Sequence, residues 1–131
     1  MTRAEVKAWL RERRPEPPAD LAAKLARCVD DAPPATFETA SVAEVLGALG
    51  TWLLASVVER QRTAYGAAPG VGRSAIAPSD APPAGSPRES GATALDLLAA
   101  DAFVTYAFEA ASEEGSDVTG LANGLLARVR A

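Results

Sequence analysis

The sequence predicts an all-α protein, a small bundle of about five helices. Three observations carry this. Apolar residues recur at helical spacing in five stretches, none of which shows the period-two alternation of a strand. Capping-box signatures (Ser or Thr followed three residues later by Asp or Glu) precede three of the five stretches. Gly and Pro concentrate in one internal segment, where all periodicity is lost.

The first helix opens at Thr2-Arg3-Ala4-Glu5, with Thr2 as N-cap, and carries Val6, Trp9 and Leu10 on one stripe. Pro15, Pro17 and Pro18 close it near Arg14. A second helix is expected from Pro18 to Asp31, with Leu21, Leu25, Cys28 and Val29 inward, stopped by Ala32-Pro33-Pro34. The third begins at the Ser41-Val42-Ala43-Glu44 capping box and runs to about Ala64. It is apolar over most of its circumference, the mark of a central bundle helix or of an interface. Gly47 and Gly50 lie on the flank that carries Leu54. Each costs about 1 kcal/mol relative to Ala inside a helix, which close contact with another backbone would offset. The fourth helix is expected from the Thr93-Ala94-Leu95-Asp96 capping box to Glu114 and is equally apolar. The fifth runs from Asp117 to Arg130, with Val118, Leu121, Leu125 and Val129 inward and Gly120 and Gly124 outward.

These elements divide the chain into a three-helix segment (1–65), a Gly/Pro/Ser/Ala-rich linker (66–91) and a two-helix segment (92–131). Some 40 residues cannot build a stable core alone. The last segment must pack on the first, on a second copy or on a partner.

Composition excludes several functions. The net charge of −4 argues against nucleic-acid binding, which needs a basic face. There is no His, so the commonest general base and metal ligand is missing. The single Cys28, on an inward stripe, forms no internal disulfide and makes no zinc site. The longest uncharged apolar run on a helix, Val45 to Val58, is shorter than the roughly 20 residues of a membrane span. The expectation is a soluble cytoplasmic protein without cofactor or metal.

Two stretches imitate motifs. GAAPGVGRS, residues 66–74, is close to a phosphate-binding loop, but Ala67 stands where the first Gly belongs and Arg73 where the Lys belongs. A helix precedes it and prolines follow, the reverse of the strand–loop–helix context that aims a helix N-terminus at phosphate. LLAADAFVTYAFEAA, within the fourth helix, resembles a helix of polyprenyl diphosphate synthases at apolar and Ala positions over about 17 residues. The family's aspartate-rich motif does not accompany it. Asp30-Asp31 runs into Ala-Pro-Pro, and Asp96 and Asp101 point about 140° apart on a helix. Asp96 reads as a capping residue, and prenyl chemistry is not expected.

Arg3, Lys7, Arg11 and Arg14 form a basic flank on the first helix. It suits weak contact with an anionic surface, or pairing with the six acids between Gly91 and the C-terminus. The sequence therefore points to a non-catalytic protein–protein interaction module: an adaptor, accessory subunit or self-assembling protein that forms a homodimer or partner complex. The expected interface comprises Gly47, Gly50, Leu54, Val58, Phe103, Phe108, Gly120 and Gly124. The alternative is a bundle that binds an apolar small molecule, even a minor enzyme, in a pocket lined by Trp52, Phe103, Tyr106 and Phe108.

Overall fold

The computed structural model describes residues 1–66 and 87–130, with side chains for 1–64 and 91–130. They form five helices: α1 (Arg3–Arg11), α2 (Ala19–Asp31), α3 (Val42–Gly66), α4 (Pro87–Glu114) and α5 (Val118–Arg130). A short 3₁₀ turn, Pro34–Phe37, links α2 to α3. No strand occurs among the described residues, so the fold is all-α.

The centre is an antiparallel pair. The end of α4 meets the start of α3, and Asp96 near the start of α4 meets Arg60 near the end of α3. The seam buries Val45, Leu46, Leu49, Leu53 and Val57 of α3 against Ala99, Ala100, Phe103, Ala107, Ala110 and Ala111 of α4. Small side chains on α4 permit the close approach that Gly50 also requires. A Cβ at Gly50 would lie 2.8 Å from Val104 and 3.2 Å from the Ala100 carbonyl oxygen. The helices α1 and α2 cover one side of this pair, burying Val6, Leu21, Leu25, Cys28 and Val29. On the other side lies α5, with Leu121 and Leu125 over Gly47.

The ends of the helices follow local chemistry. At α1 the capping box is complete: Glu5 N–H donates to Thr2 Oγ1 (3.1 Å) and Thr2 N–H to Glu5 Oε2 (2.6 Å). This helix ends at Arg11 rather than near Arg14. The Glu12 N–H turns back to Trp9 and Leu10 carbonyls, and a residue preceding proline, here Arg14, disfavours helical backbone. At α3, Ser41 Oγ accepts the Glu44 N–H (3.3 Å), but the Glu44 carboxylate pairs with the Thr39 hydroxyl instead of closing the box. A left-handed Gly115 (φ 69°) terminates α4 in a Schellman turn, with the Ser116 N–H on the Ala111 carbonyl at 2.8 Å.

Two boundary expectations change. Residues 67–86, most of the expected linker and most of the phosphate-loop look-alike, lie outside the described residues. The linker's ends do not: Gly66 closes α3, and Pro87–Gly91 belongs to α4. Pro87 occupies the first helical position, where a missing N–H breaks no hydrogen bond. Thr93 and Asp96 are therefore interior to α4, where no free N–H remains for a capping box.

Candidate interaction surface

The face covered by α1 and α2 is tied down by charge. Arg3 donates to the Val29 carbonyl (3.1 Å) and the Ala32 carbonyl (2.7 Å), so a cation closes the C-terminus of α2. Its guanidinium also lies 4.6 Å from the centre of the Phe37 ring. Lys7 pairs with Asp30 at 2.5 Å. Arg13 lies 3.7 Å over the Trp9 ring and reaches Glu109 (3.1 Å) and Glu113 (2.7 Å) on α4. Trp9 meets Tyr106 edge to face at 6.0 Å. Half of the basic flank of α1 is thus engaged inside the bundle, while Arg11 and Arg14 are exposed.

Asp96, which reads as a capping residue, and Glu114 hold the central pair together. Asp96 is 2% exposed and takes ion pairs from Lys24 of α2 and Arg60 of α3. Burial pushes its pKa up. The hydrogen bonds and charges of Lys24 and Arg60 outweigh that and hold it below the ordinary aspartate value. At the other end Glu114 crosses from the last turn of α4 to the first turn of α3. It accepts from the Val42 and Ala43 N–H groups (3.1 and 3.4 Å) and from the Ser41 hydroxyl (3.0 Å). A carboxylate there satisfies free donors and complements the helix dipole.

The opposite face is less complete. Gly120, Gly124 and Arg128 of α5 line a cleft of ≈ 400 Å³ with Ser41, Ala43 and Glu44, at the start of α3. The helical turn puts Leu126 and Val129 on the other flank of α5, toward the far half of the α3–α4 pair. That half carries Leu54 and Val58 on the flank of Gly47, and Leu97 on the flank of Val104. Val58, Leu97, Leu126 and Val129 are 47%, 44%, 51% and 54% exposed. By helical spacing Val58 and Leu97 lie on the flank of α3 and α4 that carries α5.

The residues expected at an interface divide accordingly. Gly47, Gly50 and Phe103 are buried against helices of the same chain. Close contact with another backbone, expected at both glycines, occurs at Gly50, which meets the Ala100 carbonyl of α4, whereas Gly47 meets the Leu121 and Leu125 side chains of α5. Leu54 and Phe108 are half-buried, while Val58, Gly120 and Gly124 are exposed. Sequence reading passed over Leu97 and Leu126. The spacing Leu97, Asp101, Val104, Phe108 does mark one flank of α4, but nothing local says that α5 leaves it bare. Of the expected pocket aromatics, Phe103 is fully buried in the core, and Trp52, Tyr106 and Phe108 are half-buried.

Among the described residues, no group of three or more His, Cys, Asp or Glu is placed to hold a metal ion. Cys28 is buried, and that burial pushes its thiol pKa up, which suppresses the nucleophilic thiolate. By length and composition, Val42–Ala64 and Gly91–Glu114 could each cross a membrane. Here they are the two central helices, joined through Arg60 and Asp96. No protein-family model, curated protein or solved structure matches the chain.

Proposed function

We propose that this chain is a non-catalytic helical interaction module that receives a protein helix in a notch floored by α3 and α4 and walled by α5. One observation supports the reading: four large aliphatic side chains, Val58, Leu97, Leu126 and Val129, are each about half exposed, and helical spacing puts Val58 and Leu97 on the flank of the bundle that carries α5. Apolar surface gathered in this way marks an interface more often than scattered single residues do. The notch also has room for a helix. From Gly47, under α5, to Val58 is about 16 Å along the axis, and packed helices lie about 8–10 Å apart.

A photo-crosslinking amino acid at Val58 or Leu97, in the full chain expressed in its own cell, tests this. Discrete protein adducts are expected from both positions, either with another protein or with a second copy. Leu98, equally exposed (50%) but directed away from the notch, is the control and should give none. Absence of any protein adduct at both notch positions, or equal labelling at Leu98, would overturn the reading.

A further inference from the structure

We propose that the groove between α1 and α2 binds a small carboxylate with a compact apolar body. The groove encloses ≈ 530 Å³. Ala22 and Ala26 lie one turn apart on α2, and their single methyl groups leave the space toward α1 open. Leu10, Pro17 and Ala26 are each part-exposed and line it with apolar surface above the buried Leu25. Its walls are short. Lys7 to Arg11 on α1 and Ala22 to Ala26 on α2 each span about 6 Å, which suits one compact group rather than a helix. Small-ligand sites combine this kind of apolar lining with a few placed polar groups.

Charge selects the ligand. The other cations of α1 and the residues after it are engaged: Arg3 by the Val29 and Ala32 carbonyls, Lys7 by Asp30, Arg13 by Glu109 and Glu113, and Arg14 by Glu16. Arg11, exposed on the groove wall, pairs with no acid among the described residues. Its guanidinium can hold a planar carboxylate through two parallel N–H donors. Lys7, one turn earlier on the same wall, gives one contact to Asp30 and has further N–H donors to offer. Glu16 also lines the groove; its charge opposes the ligand's and is partly offset by Arg14 at 3.5 Å. The site is independent of the notch beside α5 and stands whether or not a partner occupies it.

Titration of the full chain with cyclohexanecarboxylate, followed by amide NMR shifts, tests this. Saturating shifts confined to α1, α2 and their connection are expected, with a Kd of about 1 mM for so small a ligand. Acetate has the charge without the body, and cyclohexanecarboxamide the body without the charge. Each should bind at least about fivefold more weakly. Arg11→Gln, an exposed substitution that should leave the fold intact, should weaken the carboxylate about tenfold and the amide little. Glu16→Gln should tighten the carboxylate about twofold. Equal binding of either control, an Arg11→Gln protein that binds as wild type does, or no saturating shift in α1 and α2 would overturn the proposal.

Discussion

Three glycines offer a graded test of the packing, because a methyl group at each meets a different obstacle. All three lie in helices, so Gly→Ala gains up to about 1 kcal/mol from backbone entropy and helix propensity in each case. At Gly124 the new Cβ has nothing within 4 Å, so the gain should appear in full. At Gly47 it would lie 2.7 Å from Leu125 Cδ2. That is the far end of a flexible side chain, and its displacement should roughly cancel the gain. At Gly50 the obstacles are Val104 Cγ2 at 2.8 Å and the Ala100 carbonyl oxygen at 3.2 Å. The Val104 side chain can rotate, but the carbonyl belongs to the α4 backbone and moves only if the helices separate. Overpacking of this kind costs about 1–3 kcal/mol, so Gly50→Ala should be destabilised by about 1 kcal/mol net. Urea unfolding followed by circular dichroism resolves such differences as shifts of midpoint at constant slope. The expected order is Gly124→Ala above wild type, Gly47→Ala near it and Gly50→Ala below it. A stabilised Gly50→Ala protein would mean that α3 and α4 do not approach as described.

Two further substitutions test the polar fasteners. Asp96→Asn keeps the shape but removes the charge shared by Lys24 and Arg60, and should cost about 2 kcal/mol at pH 7. Because the folded pKa of Asp96 is lowered, its contribution is complete above the unfolded value of about 3.9 and is lost as pH falls through the folded pKa. The gap between wild type and variant should therefore close below about pH 4, and a gap unchanged at pH 2.5 in thermal melts would contradict the assignment. Glu114→Ala strips the first turn of α3 of its carboxylate and should cost about 1–2 kcal/mol, read by chemical denaturation, as a lost N-cap does. An effect below about 0.3 kcal/mol would show that Ser41 and water suffice.

What the sequence made legible was periodic. The existence of the five helices, the inward stripe of α2 and the Thr2 capping box follow from local spacing. But α1 ends earlier and α4 begins earlier than that spacing suggests, and Val118 and Val129, expected inward on α5, are exposed because α5 packs on α3 through Leu121 and Leu125 only. The roles of acids were not legible, because their partners are distant in the chain. Glu114 meets Val42 across 72 residues, and Asp96 meets Arg60 across 36. Thr93 and Asp96 had the letters of a capping box, but a helix that began earlier left them no free N–H groups to bind. Gly47 and Gly50 were legible as points of close approach, yet sequence could not say that Gly47 meets α5 side chains and Gly50 the α4 backbone. That depends on the return of α5 across α3, which the turn at Gly115 directs.

The same geometry makes α5 the least secure element of the fold. Of its 13 residues only Leu125 is fully buried, with Leu121 and Ala122 half-buried. Complete burial of a Leu is worth about 1.5–3 kcal/mol, while fixing the backbone of each residue costs about 1–2 kcal/mol before hydrogen bonds and packing offset it. Gly120 and Gly124 add to that cost. At its start, however, Asp117 Oδ1 accepts the Thr119 N–H (3.0 Å), so the first turn is held. The helix should consequently open from its C-terminal end while α3 and α4 remain closed. Native-state hydrogen exchange should find the amides of 125–130 exchanging at a lower opening free energy than those around Leu49 and Phe103. Gly124→Ala should narrow that difference. Exchange of 125–130 only through global unfolding would show that α5 is bound more firmly than its buried side chains explain, and the wall of the notch would then be rigid.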